Sequence, residues 1–165
     1  MLKKALTNCK TIVLLLALTL WLSGCAWPHY IANLNVNIQG ASYLNPDVNG
    51  RASPLVLTFY QLKSPYQFQQ LSFEQLGANA GKNLGTDLID KQSVEIRPDS
   101  NRKAQFALPE DAKYIGIVAS YRNIDHSKWR QLVQIPKPGR TTYIWADCQS
   151  QAIKATINQS QFKIW

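Results

Sequence analysis

Apolar and polar residues alternate without a break from Ala32 to Gln39 (ANLNVNIQ). Ala32, Leu34, Val36 and Ile38 fall on one face, and Asn33, Asn35, Asn37 and Gln39 on the other. Period-two alternation of this kind predicts a half-buried β-strand. Leu55 to Leu62 (LVLTFYQL) is apolar or aromatic at almost every position, which predicts a second strand covered on both faces. Pro54 is compatible only with that strand's start. The stretch between them, GASYLNPDVNGRASP, is far longer than the roughly two to five residues a hairpin needs. Ser64 to Leu76 (SPYQFQQLSFEQL) is the one plausible helix. Ser64 is its candidate cap and Pro65 its first residue, and Phe68, Leu71, Phe73 and Leu76 form a broad apolar face. Gly77, Gly81 and Gly85 end it and open a loop through Asp90.

The remainder reads as short strands separated by turn formers. Val94 and Ile96 belong to one, and Ala104, Phe106 and Leu108 alternate in the next. Tyr114 to Tyr121 (YIGIVASY) is strongly apolar and central, and Trp129 to Ile135 follows. Thr141 to Cys148, Ile153 to Ile157 and Phe162 to Ile164 complete the set. About eight or nine short strands with one short additional helix predict an all-β, two-sheet sandwich.

The first two dozen residues do not fit that domain. Lys3, Lys4 and Lys10 precede twelve uncharged residues, Thr11 to Leu22 (TIVLLLALTLWL). A stretch of that length is too short to cross a bilayer core of about 30 Å as a helix, and it matches the charged and apolar regions of a secretory signal peptide. Leu22-Ser23-Gly24-Cys25 then resembles a bacterial lipobox. That resemblance implies cleavage before Cys25 and a covalent lipid on its sulfur, with no other cofactor. Ala26, where an Asp commonly retains such proteins in the inner membrane, favours the outer one. The expected division is a signal peptide over 1–24, a lipidated tether over 25–31 and a sandwich over 32–165. Trp27 and Tyr30 lie in the tether, suited either to the headgroup level or to packing beneath the domain.

Charge and chemistry narrow the function. Losing Lys3, Lys4 and Lys10 takes the net charge from +8 to +5, and no basic run exceeds Arg102-Lys103. No nucleic-acid recognition motif appears, and a mildly basic surface suits anionic lipid, cell wall or an acidic protein. Cys9 leaves with the signal and Cys25 is consumed. Cys148 remains and cannot form an internal disulfide; alternating with Ile144 and Ala146, it reads as a small buried hydrophobe, with an exposed reactive thiol as the alternative. His29 lies in the tether and His126 in the polar turn NIDHSK, adjacent to Asp125. None of G-x-S-x-G, H-E-x-x-H, C-x-x-C or a glycine-rich phosphate loop is present. The chain reads as a non-enzyme without a small-molecule substrate.

Several stretches, in order, resemble one family. They are Asn45-Pro46-Asp47, Gly50-Arg51, Ser53-Pro54 and Tyr60-Gln61-Leu62-Lys63; then Leu84-Gly85 with Asp87-Leu88; then Tyr114 to Ala119, Tyr121-Arg122 and Trp129-Arg130. With the lipobox, the chain resembles the TssJ (SciN, VasD) family, outer-membrane lipoproteins of the type VI secretion system. The resemblance implies a transthyretin-like β-sandwich held on the inner leaflet of the outer membrane. It implies a structural role in the trans-envelope membrane complex, binding the periplasmic C-terminal region of TssM, which works with TssL. The family's docking loop maps onto Ala41 to Ser53, making Tyr43, Leu44, Asn45, Pro46, Asp47, Val48, Asn49, Gly50 and Arg51 the expected contact residues. Within it, Asn45-Pro46-Asp47 is expected to turn, Asn49-Gly50 to turn again, and Arg51 to offer its fork to a partner carboxylate. The core is expected to lie outside the loop. The rival reading is a lipoprotein that binds cell wall or a small ligand in a sandwich groove, whose signature is exposed aromatics clustered on one face.

Overall fold

The computed structural model describes residues 32–159. Two four-stranded sheets pack face to face. The first has the order β4-β1-β7-β8 and the second β3-β2-β5-β6. The strands are β1 (Ala32–Gly40), β2 (Leu55–Leu62), β3 (Leu88–Ile96), β4 (Ser100–Leu108), β5 (Tyr114–Ala119), β6 (Arg130–Gln134), β7 (Thr142–Cys148) and β8 (Ile153–Asn158). Neighbouring strands are antiparallel except β1 and β7, which run parallel. The expected strand at Phe162–Ile164, the tether and Cys25 lie outside the described residues.

The alternation in β1 does what its period demands. Leu34, Val36 and Ile38 are buried between the sheets, against Leu55, Leu57 and Phe59 of β2 and Ile115 and Ile117 of β5. Each such side chain contributes roughly 1.5–3 kcal/mol when fully buried. Cys148 belongs to this core. Its burial, and secondarily Asp147, pushes the thiol up to about 12.

The second sheet is covered on its outer face as well. Tyr60 and Leu62 of β2 and Val118 of β5 meet a lid carrying Phe68, Leu76, Ala80 and Leu84. The lid is three short helices where the sequence predicts one: α1 (Tyr66–Gln70), α2 (Phe73–Ala78) and α3 (Ala80–Leu84). The chain becomes extended at Leu71, and Ser72 opens α2 with a reciprocal capping box to Gln75. The S-x-x-Q signal for that break lies in the sequence, inside what the apolar face reads as a continuous helix. Arg130 ties the lid down. One guanidinium nitrogen donates to the carbonyls of Phe68 (3.0 Å) and Leu71 (2.8 Å), acceptors that the end of α1 leaves unpaired. The loop predicted from Gly77 through Asp90 is instead mostly helical, holding the end of α2, α3 and a 3-10 turn at Gly85–Asp87, and β3 begins at Leu88.

Every strand end falls at one of two poles. The chain enters the sandwich at Ala32, and β1 carries it across nine residues, roughly 27 Å at a strand's usual rise, to Gly40 at the far pole. There β1 of the first sheet must hand over to β2 of the second. Crossing the sandwich accounts for part of the length of the connection that follows.

Candidate functional site

The β1–β2 connection has an inward half and an outward half. Leu44 is fully buried within the inter-sheet core. Asn45 is 4% exposed and sits at φ +47°, a left-handed conformation that asparagine tolerates better than most residues. Its side chain donates to the Pro54 carbonyl (2.7 Å) and accepts from the Arg122 amide (2.9 Å). Its own amide donates to the Ser150 carbonyl at 3.1 Å, and the Ser53 amide donates to the Leu44 carbonyl at 2.9 Å. Leu44 and Asn45 therefore fasten the loop to both sheets. The expectation that the core lies outside the loop is corrected, since Leu44 belongs to the core; burial and satisfied hydrogen bonds leave Leu44 and Asn45 little surface to offer a partner.

The outward half is organised by Asp47. One carboxylate oxygen accepts from the amides of Asn49 and Arg51, each at 2.9 Å, and the other from Arg51 Nε at 2.9 Å. The Gly50 amide closes a turn onto the Asp47 carbonyl at 2.9 Å, with Gly50 at φ +76°. The turn expected at Asn45-Pro46-Asp47 is thus displaced to Asp47–Gly50, because Asn45 spends its side chain on fastening. The second expected turn, at Asn49-Gly50, is this same one. These bonds, with the Arg51 amide foremost, hold the Asp47 carboxyl below the ordinary carboxylate range. Arg51 is already committed through Nε, so its fork is only partly free. Pro46 is half-buried; Asn49, Gly50 and Arg51 are exposed. Tyr43 is 71% exposed and Val48 fully so, two of the four large exposed hydrophobics among the described residues.

The result is a stiffened ridge with two apolar tips, Val48 within the hydrogen-bonded turn and Tyr43 before it. A preformed ridge would lose little entropy on docking a partner, and its apolar tips would offer contact area. Catalytic chemistry is not assembled here. His126 and Asp125 lie exposed in a short 3-10 turn at Ile124–His126, and no cluster among the described residues has the donors for a metal ion.

A family model described as Type VI secretion lipoprotein (VasD, EvfM, TssJ) matches residues 32–160. The chain belongs to this family. Its fold agrees with solved structures. The type VI lipoprotein TssJ1 from Pseudomonas aeruginosa is 31% identical, with 79% of this chain and 98% of that chain covered and a TM-score of 0.73. Lip from Serratia marcescens, a membrane-bound component of the type VI system, is 21% identical, covering 76% and 96% at a TM-score of 0.67. A chain in the structure of the type VI protein TssM C-terminal domain (869–1107) from EAEC is 19% identical, covering 76% and 98% at 0.65. No curated protein matches. The family is one of structural type VI secretion lipoproteins, not of enzymes.

Sequence reasoning missed one surface feature. Tyr143 and Trp145 of β7 stack with ring centroids 6.1 Å apart at 26°, on the strand face opposite Ile144, Ala146 and Cys148. The signal was available, since the alternation that places Cys148 inside places Tyr143 and Trp145 outside.

Proposed function

We propose that this lipoprotein anchors the trans-envelope complex of a type VI secretion system by binding the periplasmic C-terminal region of TssM through the outward half of the β1–β2 loop. Lipid on Cys25 would hold it on the inner leaflet of the outer membrane. One observation carries the reading: in a chain of this family, a rigid ridge bearing Tyr43 and Val48 stands at the pole opposite the one where the chain enters at Ala32. The tether side would then face the membrane and the ridge the periplasm. The match to a structure named for residues 869–1107 of TssM adds support.

The test uses surface substitutions, because replacing the whole loop would remove Leu44 and Asn45 and unfold the pole. Tyr43→Ala and Val48→Asp should each weaken binding to the TssM region by about tenfold or more, as truncation of an interface anchor does. The melting temperature should stay unchanged, since both side chains are exposed. Calorimetry with the full lipoprotein in detergent reads the affinity. Wild-type affinity in the double variant would overturn the assignment of the loop.

A further inference from the structure

Among the described residues, no helix or loop covers the outer face of the first sheet, unlike that of the second. The strand registers lay out its side chains in rows. Lys103 of β4, Asn37 of β1, Trp145 of β7 and Thr156 of β8 form one row. Asn101, Gln39, Asp147 and Lys154 form the next. On the other side of the first row, Asn35 lies beside Tyr143. A groove of about 420 Å³ runs over Asn37, with Lys103 on one bank and Trp145 and Lys154 on the other.

Three properties of this face coincide. Tyr143 and Trp145 make a stacked, half-exposed aromatic platform. Beside it, the side-chain amides of Asn35, Asn37 and Gln39 have no hydrogen-bond partner among the described residues, so each brings an acceptor and two donors to whatever lies above. Two rim lysines, Lys103 and Lys154, outnumber Asp147, the one acid in the groove. An aromatic face is electron-rich and prefers the weakly positive C–H groups of a sugar ring. A row of amides matches hydroxyl and acetamido groups. A basic rim matches carboxylates. A protein partner would call for an apolar centre, and Asn37 occupies the floor of the groove.

We infer that this face binds the glycan strand of the cell wall, an N-acetylated amino-sugar polymer bearing carboxylates. The choice of that polymer rests on the periplasm-facing placement proposed above, while the site itself is independent of the TssM loop. The aromatic pair stacks on sugar rings, Asn35, Asn37 and Gln39 bond their acetamido and hydroxyl groups, and Lys103 and Lys154 pair with carboxylates. The lipoprotein would then hold the secretion complex against the wall while the opposite end of β1 is tied to the outer membrane.

The full lipoprotein, purified in detergent, should co-sediment with purified peptidoglycan sacculi, and soluble glycan strands should compete. Trp145→Ala should weaken binding by about tenfold, the usual scale for losing an aromatic anchor. Asn37→Asp, which adds a charge to the floor without removing packing, should weaken it similarly and keeps the test valid should Trp145→Ala fold poorly. Lys103→Glu with Lys154→Glu should reduce binding to the carboxylate-bearing strands but spare a neutral N-acetylglucosamine hexamer. Affinity for the TssM region, measured on the same variants, should not change. Failure of the wild type to sediment, or undiminished sedimentation of Asn37→Asp, would overturn the inference; loss of TssM binding in Tyr43→Ala alone bears only on the loop.

Discussion

Gly116 lies in the middle of β5, an apolar strand where glycine is locally unfavourable. Its register partners are Tyr60 of β2 and Leu132 of β6, and it faces outward, toward the lid. A Cβ added there would meet Cε2 and Cζ of Phe68 at 2.5 Å and Cε1 at 2.8 Å. Relaxed carbon contacts need about 3.5–4.0 Å. The ring cannot swing aside, because Phe68 is fully buried, lies 5.5 Å from the Tyr60 ring, and its carbonyl is held by Arg130. Gly116→Val therefore sets two terms against each other. A β-branched residue suits a strand by up to about 1 kcal/mol. Overpacking costs about 1–3 kcal/mol, here at the upper end because the whole isopropyl group enters filled space. The net expectation is a loss of about 2 kcal/mol, or about 6–8 °C in melting temperature for a domain of this size. Thermal and urea unfolding followed by circular dichroism read it. A double-mutant cycle isolates the cause. Phe68→Ala alone should cost about 3–5 kcal/mol, and with the introduced isopropyl group filling part of the hole the double variant should fall short of the sum by more than about 1 kcal/mol. An unchanged melting temperature in Gly116→Val, or additivity within about 0.5 kcal/mol, would refute the reasoning.

Asp47 gives the loop a pH dependence of definite sign. Its folded-state pKa lies below the ordinary 3.8, so its contribution to the ridge is complete above about pH 5 and lost as pH falls through the depressed value. The amide resonances of Asn49 and Arg51 should hold steady down to that range and move below it, and the same titration in Asp47→Asn should be flat; a wild-type midpoint at the ordinary value would count against the bonding scheme. Cys148, buried and with its thiol near 12, should resist a thiol reagent at about pH 8 in the native protein and react once guanidinium unfolds it; stoichiometric labelling of the native chain within minutes would contradict its place in the core. Cys25→Ser should abolish labelling by radioactive palmitate, and Ala26→Asp should move the protein toward inner-membrane fractions on a density gradient. Labelling of the serine variant at the wild-type level would sink the lipobox reading.

The sheets were legible because period two has a single physical cause. A strand with one buried face must alternate, and β1 does so without error, so its inward residues follow directly from the residue pattern. β2 is less transparent. Its near-continuous apolar run says that both faces are covered but not by what, and the cover proves to be helices on one side and a sheet on the other. The lid reads as one helix because side chains spaced for a continuous apolar face also suit two helices separated by an extended residue. Only the capping box at Ser72 distinguishes them locally. Arg130, whose guanidinium crosses about sixty residues of sequence to bond Phe68 and Leu71, has no local signature at all.

The candidate loop shows how composition underdetermines a connection. Asn, Pro, Asp and Gly predict turns, and the turn at Asp47–Gly50 is there. Composition does not say which side chains face outward and which face the protein. Asn45 reads as a turn former and Leu44 as an apolar contact, yet both serve the interior. Each is decided by a distant element: Arg122 and Ser150 for Asn45, the inter-sheet core for Leu44. That division has a functional consequence. Because Leu44 and Asn45 are fixed by groups on other loops of the same pole, the ridge between them and Ser53 cannot slide without breaking bonds in the sandwich. Tyr43 and Val48 are thereby held at a set position relative to the core rather than carried on a free tether. If the ridge docks the partner proposed above, a surface fixed this way would pass load from that partner into both sheets at once.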